Sequence, residues 1–183
     1  MNSMNSLMPS IAGHPRFPSL RKLQEQRGGF PIVADGFMPE LMPDLLSIIL
    51  DASRRDSTFP SLNLGGWKSS DDFLQWGFPA VQLLRQGLRD VLDGHLPSGW
   101  AMVNRAGSHH PRHRHQTSAI SGVVYVDPGD ESSSPTVFEV DGGRSVHVVP
   151  SPGRLVIFPG GMWHSVPRYD GEDPRVTIAF DVR

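Results

Sequence analysis

Apolar residues recur along residues 39–50 at Leu41, Leu45, Ile48 and Ile49, the i, i+4, i+7, i+8 spacing that gathers one face of an α-helix. Over 79–93 a second stripe forms from Val81, Leu84, Leu88, Val91 and Leu92, with Gly94 placed to end the helix. From Trp100 the period changes. Short β-prone runs follow at 100–105, 120–126, 136–140, 145–149, 154–158 and 175–182, each bounded by Gly, Pro, Asp or Ser. Residues 30–34 read as a short strand ahead of the first helix. Residues 56–76 are polar around Gly65-Gly66-Trp67 and read as a long loop, a candidate lid carrying Trp67 and Trp76. Residues 1–28 mix Ser, Asn, Pro and Met without a sustained period. They predict a loosely ordered N-terminal arm, helical at most around 20–26, before a single domain over 29–183. Helices followed by a run of strands predict a mainly β (α+β) fold, with two or three N-terminal helices packed on one sheet of a β-sandwich or barrel.

Composition narrows the chemistry. The chain has no cysteine, so a metal here must be held by nitrogen and oxygen. A formal charge of −2 gives no bulk attraction to nucleic acid. No apolar run approaches the roughly 20 residues of a membrane span, and residues 1–20 lack the pattern of a secretory signal. The expectation is a cytoplasmic protein with no membrane or nucleic-acid partner. A homodimer is left open.

Candidate chemistry sits in Gly107-Ser-His-His-Pro-Arg-His113-Arg-His115 and, about fifty residues on, in Pro159-Gly-Gly-Met-Trp-His164. In a strand, residues i and i+2 share a face, so His113 and His115 can approach one ion while Arg114 points outward. His164, just past a Pro/Gly turn, is placed to bring a third nitrogen. Neutral imidazole suits iron, zinc, copper and nickel alike, so residue type alone does not choose the metal. His109 and His110 read as loop residues near the entrance, His110 as a pocket candidate.

Two barrel families share this spacing. Gly107-x5-His113-x-His115 with Gly153-x5-Pro159-x-Gly161-x2-His164 resembles the two cupin boxes. The Glu and Asn of that pattern are replaced here by Ala119 or Ile120 and by Arg168. Over roughly 99–182 the chain resembles the Fe(II)/2-oxoglutarate-dependent oxygenases, above all their small bacterial and phage members. The likeness is carried by Trp100 to His115, Ser121-Gly-Val-Val-Tyr125-Val, Pro152 to Pro159, Trp163-His164-Ser-Val-Pro and Arg175-Val-Thr-Ile-Ala-Phe180-Asp. The resemblance implies a double-stranded β-helix, a cupin-like jelly-roll barrel. It implies Fe(II) held by His113 and His164, with 2-oxoglutarate as co-substrate and O2 as oxidant. Arg175 would grip the far carboxylate of 2-oxoglutarate through its planar fork, helped by Thr177 and Tyr125. Asn104 and Trp163 would line the substrate pocket.

One position departs from the family pattern. His115 stands where His-x-Asp/Glu…His has its carboxylate. Three outcomes follow: His115 ligates, a carboxylate such as Asp127, Glu139 or Asp141 reaches in, or the position is vacant. A three-histidine centre of His113, His115 and His164 is the expectation. The function expected is hydroxylation of an unidentified small molecule or amino-acid or peptide side chain. The alternatives are a cupin-type three-histidine metalloenzyme without 2-oxoglutarate and a non-enzymatic metal- or ligand-binding barrel. Arg105, Arg112, Arg114 and Arg168 flank the motifs as a basic rim.

Overall fold

The computed structural model describes residues 17–27, 30–130 and 133–183. Most of the arm expected over 1–28 therefore lies outside the described residues. Within it Leu20–Arg27 (α1) is helical, and Phe17 meets Phe37 edge-on at 5.1 Å. Two further helices are Met42–Arg55 (α2) and Pro79–Val91 (α3). The first is preceded by a 3-10 turn at Pro39–Leu41, so the regular helix starts three residues after the start expected at Pro39. Proline at the first helical positions fits both starts, because its fixed φ suits a helix and its missing N–H would be unpaired there anyway.

Among the described residues ten strands build two antiparallel sheets. They are β1 (Ile32–Ala34), β2 (Trp67–Lys68), β3 (Ser98–Asn104), β4 (His110–His113), β5 (Ile120–Asp127), β6 (Thr136–Val140), β7 (Arg144–Val148), β8 (Arg154–Pro159), β9 (His164–Val166) and β10 (Arg175–Val182). One sheet runs β1-β8-β5-β10-β3-β2 and the other β4-β9-β6-β7. From β3 onward the chain crosses between sheets at almost every step, while the β6–β7 hairpin stays within the smaller one. This winding is a double-stranded β-helix.

Side-chain alternation decides what each face does. On β10, Val176, Ile178, Phe180 and Val182 join the core beneath the helices, while Arg175, Thr177, Ala179 and Asp181 line the barrel interior. On β3, Ala101 and Val103 face the helices, and Trp100, Met102 and Asn104 face inward. Leu45, Ile49 and Ala52 of α2 and Val81, Leu84 and Leu88 of α3 close that core. Burying each such aliphatic side chain contributes about 2 kcal/mol. A second apolar cluster of Tyr125, Phe138, Val148, Val156 and Phe158 fills part of the space between the sheets. The rest is a cavity of about 380 Å³, lined by His113, His115 and His164 together with Arg175 and Thr177.

The His113/His115 spacing expects a strand, and β4 supplies one that stops at His113, whereas β2 and β9 carry no strand signal in the sequence. All three are two to four residues long and polar or histidine-bearing, and they are strands only because a neighbour pairs with them.

Candidate active site

The metal candidates meet through strand pairing. His113 and His164 are directly opposed across β4 and β9, which bridges fifty residues of sequence and sets their rings 4.2 Å apart. His115 lies beyond the end of β4, so strand alternation does not account for its direction. A turn does: its N–H donates to the Gly160 carbonyl at 2.7 Å, and its own carbonyl accepts from the Ser118 N–H at 3.1 Å. Gly160 makes this approach feasible, since a Cβ there would overlap the backbone carbonyls of Ser118 and His115. The His115 ring ends 5.4 Å from His113 and 5.2 Å from His164.

Each ring is held by its Nδ1. That atom lies 2.8 Å from the Pro111 carbonyl in His113, 3.0 Å from the Met162 carbonyl in His164 and 2.8 Å from the Asp181 carboxylate in His115. Carbonyl and carboxylate oxygens only accept, so Nδ1 carries the hydrogen and Nε2 keeps the lone pair. One ligand nitrogen from each ring lies within 4.8 Å of the others. Burial, followed by the nearby His113, holds His164 down at about 4, and burial also lowers His113. Both rings are therefore neutral at pH 7, as ligation requires. Among the described residues no carboxylate joins this cluster. Glu139 is paired with Arg112 at 2.5 Å, Asp127 accepts from the Gly129 N–H, and Asp141 is exposed in a turn after β6. Three convergent imidazole nitrogens fit a divalent transition metal such as Fe(II).

At the opposite wall Arg175 is 3% exposed. Its Nη2 reaches the Thr136 hydroxyl at 3.4 Å, its head lies 5.6 Å from the Tyr125 ring, and its Nε has no partner. Burial pulls its pKa below the usual guanidinium value, yet the group stays a cation. The Tyr125 hydroxyl shares a hydrogen bond with Thr136 at 2.6 Å, and Thr177 is buried on the same inward face. No ion pair to Arg175 is formed among the described residues. A buried cation with an open donor in a polar-lined cavity is complementary to a carboxylate.

Other expectations fall differently. Asn104 and His110 line the cavity, whereas Trp163 does not: Arg112 and Arg114 stack on its ring at 3.8 and 4.7 Å. Arg112 and Arg168 are held in ion pairs with Glu139 and Asp170, so the basic rim is partly neutralised. The 56–76 segment is pinned rather than loose. Leu64 and His109 exchange backbone hydrogen bonds at 3.0 Å, and Ser69 donates to Ala101. From it Ser61, Leu62 and Asn63 line the cavity, with Phe59, Leu62 and Leu64 exposed nearby. Sequence reasoning missed Thr136, Trp100, Lys68 and Asp181. A threonine opening a strand carries no mark of its function, and only the inward alternation on β10, which also bears Arg175 and Thr177, points to Asp181.

His110 carries a pH prediction. Burial, then the charges of His113 and Arg175, hold its pKa at about 3. The unfolded chain binds a proton there near pH 6.5 and the folded chain does not, so stability falls as pH drops from about 6.5 toward 3, by up to about 1.4 kcal/mol per pH unit. His110→Gln should flatten this slope in urea unfolding of the metal-free protein. Identical slopes in both proteins would show that His110 is not the group responsible.

Residues 98–181 match the family described as "Putative 2OG-Fe(II) oxygenase". Among solved structures, a prolyl-4-hydroxylase from Pseudomonas putida is similar at 16% identity and TM-score 0.71, covering 91% of this chain and 99% of the other. A prolyl hydroxylase from Trichoplax adhaerens, in complex with a hypoxia inducible factor oxygen degradation domain peptide fragment, is similar at 13% identity and TM-score 0.71, covering 89% and 86%. The epimerase SnoN of nogalamycin biosynthesis, solved with Fe3+, alpha ketoglutarate and nogalamycin RO, is similar at 11% identity and TM-score 0.68, covering 88% and 82%. No curated protein matches the sequence.

Proposed function

We propose that this chain is an Fe(II)- and 2-oxoglutarate-dependent oxygenase that hydroxylates a small molecule or an amino-acid or peptide side chain presented at the open side of its cavity. The observation that carries this reading is the pairing, in one cavity, of three Nδ1-anchored histidines with a buried arginine that lacks a carboxylate. His113, His115 and His164 are assigned the iron; Arg175, Thr136, Tyr125 and Thr177 are assigned the distal carboxylate of 2-oxoglutarate. Bound together, these groups supply O2 activation coupled to decarboxylation of 2-oxoglutarate to succinate and CO2.

The chain's own residues do the rest. Arg175 and the Thr136 hydroxyl orient the co-substrate, and Phe138 and Phe158 pack against the His164 ring and keep water from that side. His110 and Asn104, at the cavity wall, are assigned to substrate orientation. The exposed Leu62 in the cavity lining, with Phe59 and Leu64 exposed in the same segment, supports a substrate with apolar groups, and the peptide complex of a structural neighbour supports a peptide. No helix of the described residues is long and apolar enough to cross a membrane.

Anaerobic titration of the Fe(II)-loaded protein with 2-oxoglutarate tests the proposal. A visible metal-to-ligand charge-transfer band should grow to saturation, and admitting O2 should release succinate slowly even without substrate. Bound iron with neither band nor succinate would overturn the assignment and put a cupin-type centre in its place.

A further inference from the structure

We infer that Asp181 is a positioning residue of the metal centre: it fixes His115 as a ligand and supplies, one hydrogen bond away, the negative charge that a three-histidine donor set lacks. The inference rests on the assignment of His113, His115 and His164 to the metal.

The three rings are not held alike. His113 and His164 each donate to the carbonyl two residues earlier in their own chain segment, at Pro111 and Met162. That anchor comes with the local backbone. His115 has left its strand and is held instead by a carboxylate 66 residues away. Asp181 projects from the inward face of β10, and its side chain is 15% exposed. Ser121, its cross-strand partner on β5, donates to the same oxygen at 2.6 Å. Strand register and Ser121 therefore hold the carboxylate independently of His115. The imidazole is also confined face to face, with Trp100 on one neighbour plane at 6.0 Å and His113 on another at 5.4 Å, both at 27°.

Charge gives Asp181 the same role independently of this packing. Three neutral imidazoles give a dication no anionic ligand, and among the described residues no carboxylate enters the cluster. An imidazole that donates to a carboxylate is the stronger nitrogen donor, and the anion stays close enough to offset part of the metal's charge. Position 115 thus presents nitrogen to the metal and keeps its carboxylate behind it.

Long-range proton–nitrogen spectra of the Zn(II)-loaded wild-type protein provide a test that needs no variant. All three histidines should carry Nδ1–H, with the His115 proton further downfield than those of His113 and His164, whose acceptors are neutral. A His115 Nδ1 without a proton overturns the inference. Co(II) affinity by chelator competition provides the second test. Asp181→Asn should weaken binding roughly 10–100-fold and shift the Co(II) d–d bands. In a His115→Asp background, where the carboxylate is itself a ligand, the same substitution should leave affinity unchanged or raise it. Equal weakening in both backgrounds would make Asp181 merely structural and overturn the inference. His115→Ala separates the two levels: unchanged Co(II) affinity in that variant removes His115 from the ligand set and overturns the assignment beneath it.

Discussion

Arg175→Met should remove 2-oxoglutarate binding while making the ligand-free protein harder to unfold. The guanidinium is almost completely buried, one of its nitrogens has no partner, and its hydroxyl contact at Thr136 is long at 3.4 Å. Taking a cation out of water costs several kcal/mol, and nothing in the described residues offsets this with a paired carboxylate. A bound carboxylate does so, through two charge-assisted hydrogen bonds of about 2 kcal/mol each. Their loss predicts a rise in Kd of roughly a thousandfold. Relief of the uncompensated charge by even about 1 kcal/mol raises the unfolding midpoint by about 2–4 °C in a domain of this size. Anaerobic titration and differential scanning calorimetry on the same variant read the two effects. Wild-type affinity in Arg175→Met would place the carboxylate site elsewhere, and a lowered midpoint would show that the arginine is satisfied without ligand.

His164→Ala is expected to cost more than any other change at the metal. This ring is the most buried of the three, stands opposite His113, and packs against Phe138 and Phe158 at 5.8 and 4.8 Å. Its removal leaves two nitrogens, one of them on a turn, and Co(II) affinity should fall by more than about 100-fold, beyond the range expected for Asp181→Asn. Linkage gives a second readout. Wild type at a metal concentration 100 times its Kd gains about 2.7 kcal/mol of stability, and the variant at the same concentration should gain almost none. A His164→Ala protein still stabilised by Co(II) to the wild-type extent would remove His164 from the ligand set.

Much of this site is local and could be read from residue order. The helix stripes at Leu45 and Ile49 and at Val81, Leu84 and Leu88 are buried as their spacing requires. The runs over 136–140 and 175–182 are strands with the same limits in the structure. Period 2 on the last strand already sorted Arg175 and Thr177 from Val176 and Ile178. Trp163 shows the limit of such reading. It adjoins His164 in sequence and so lies on the other side of the chain, where Arg112 and Arg114 cover it instead of substrate.

What residue order determined by itself was periodicity, the histidine spacing and the donor chemistry open to a chain without cysteine, because each depends on neighbours within a turn or two. Tertiary structure alone decided which acceptor holds each imidazole, that Thr136 joins Tyr125 and Arg175, and that Leu64 ties the expected lid to His109. Those contacts depend on strand register, which the whole sheet sets at once: a shift of one residue would turn Asp181 away from His115 and leave the sequence around both unchanged.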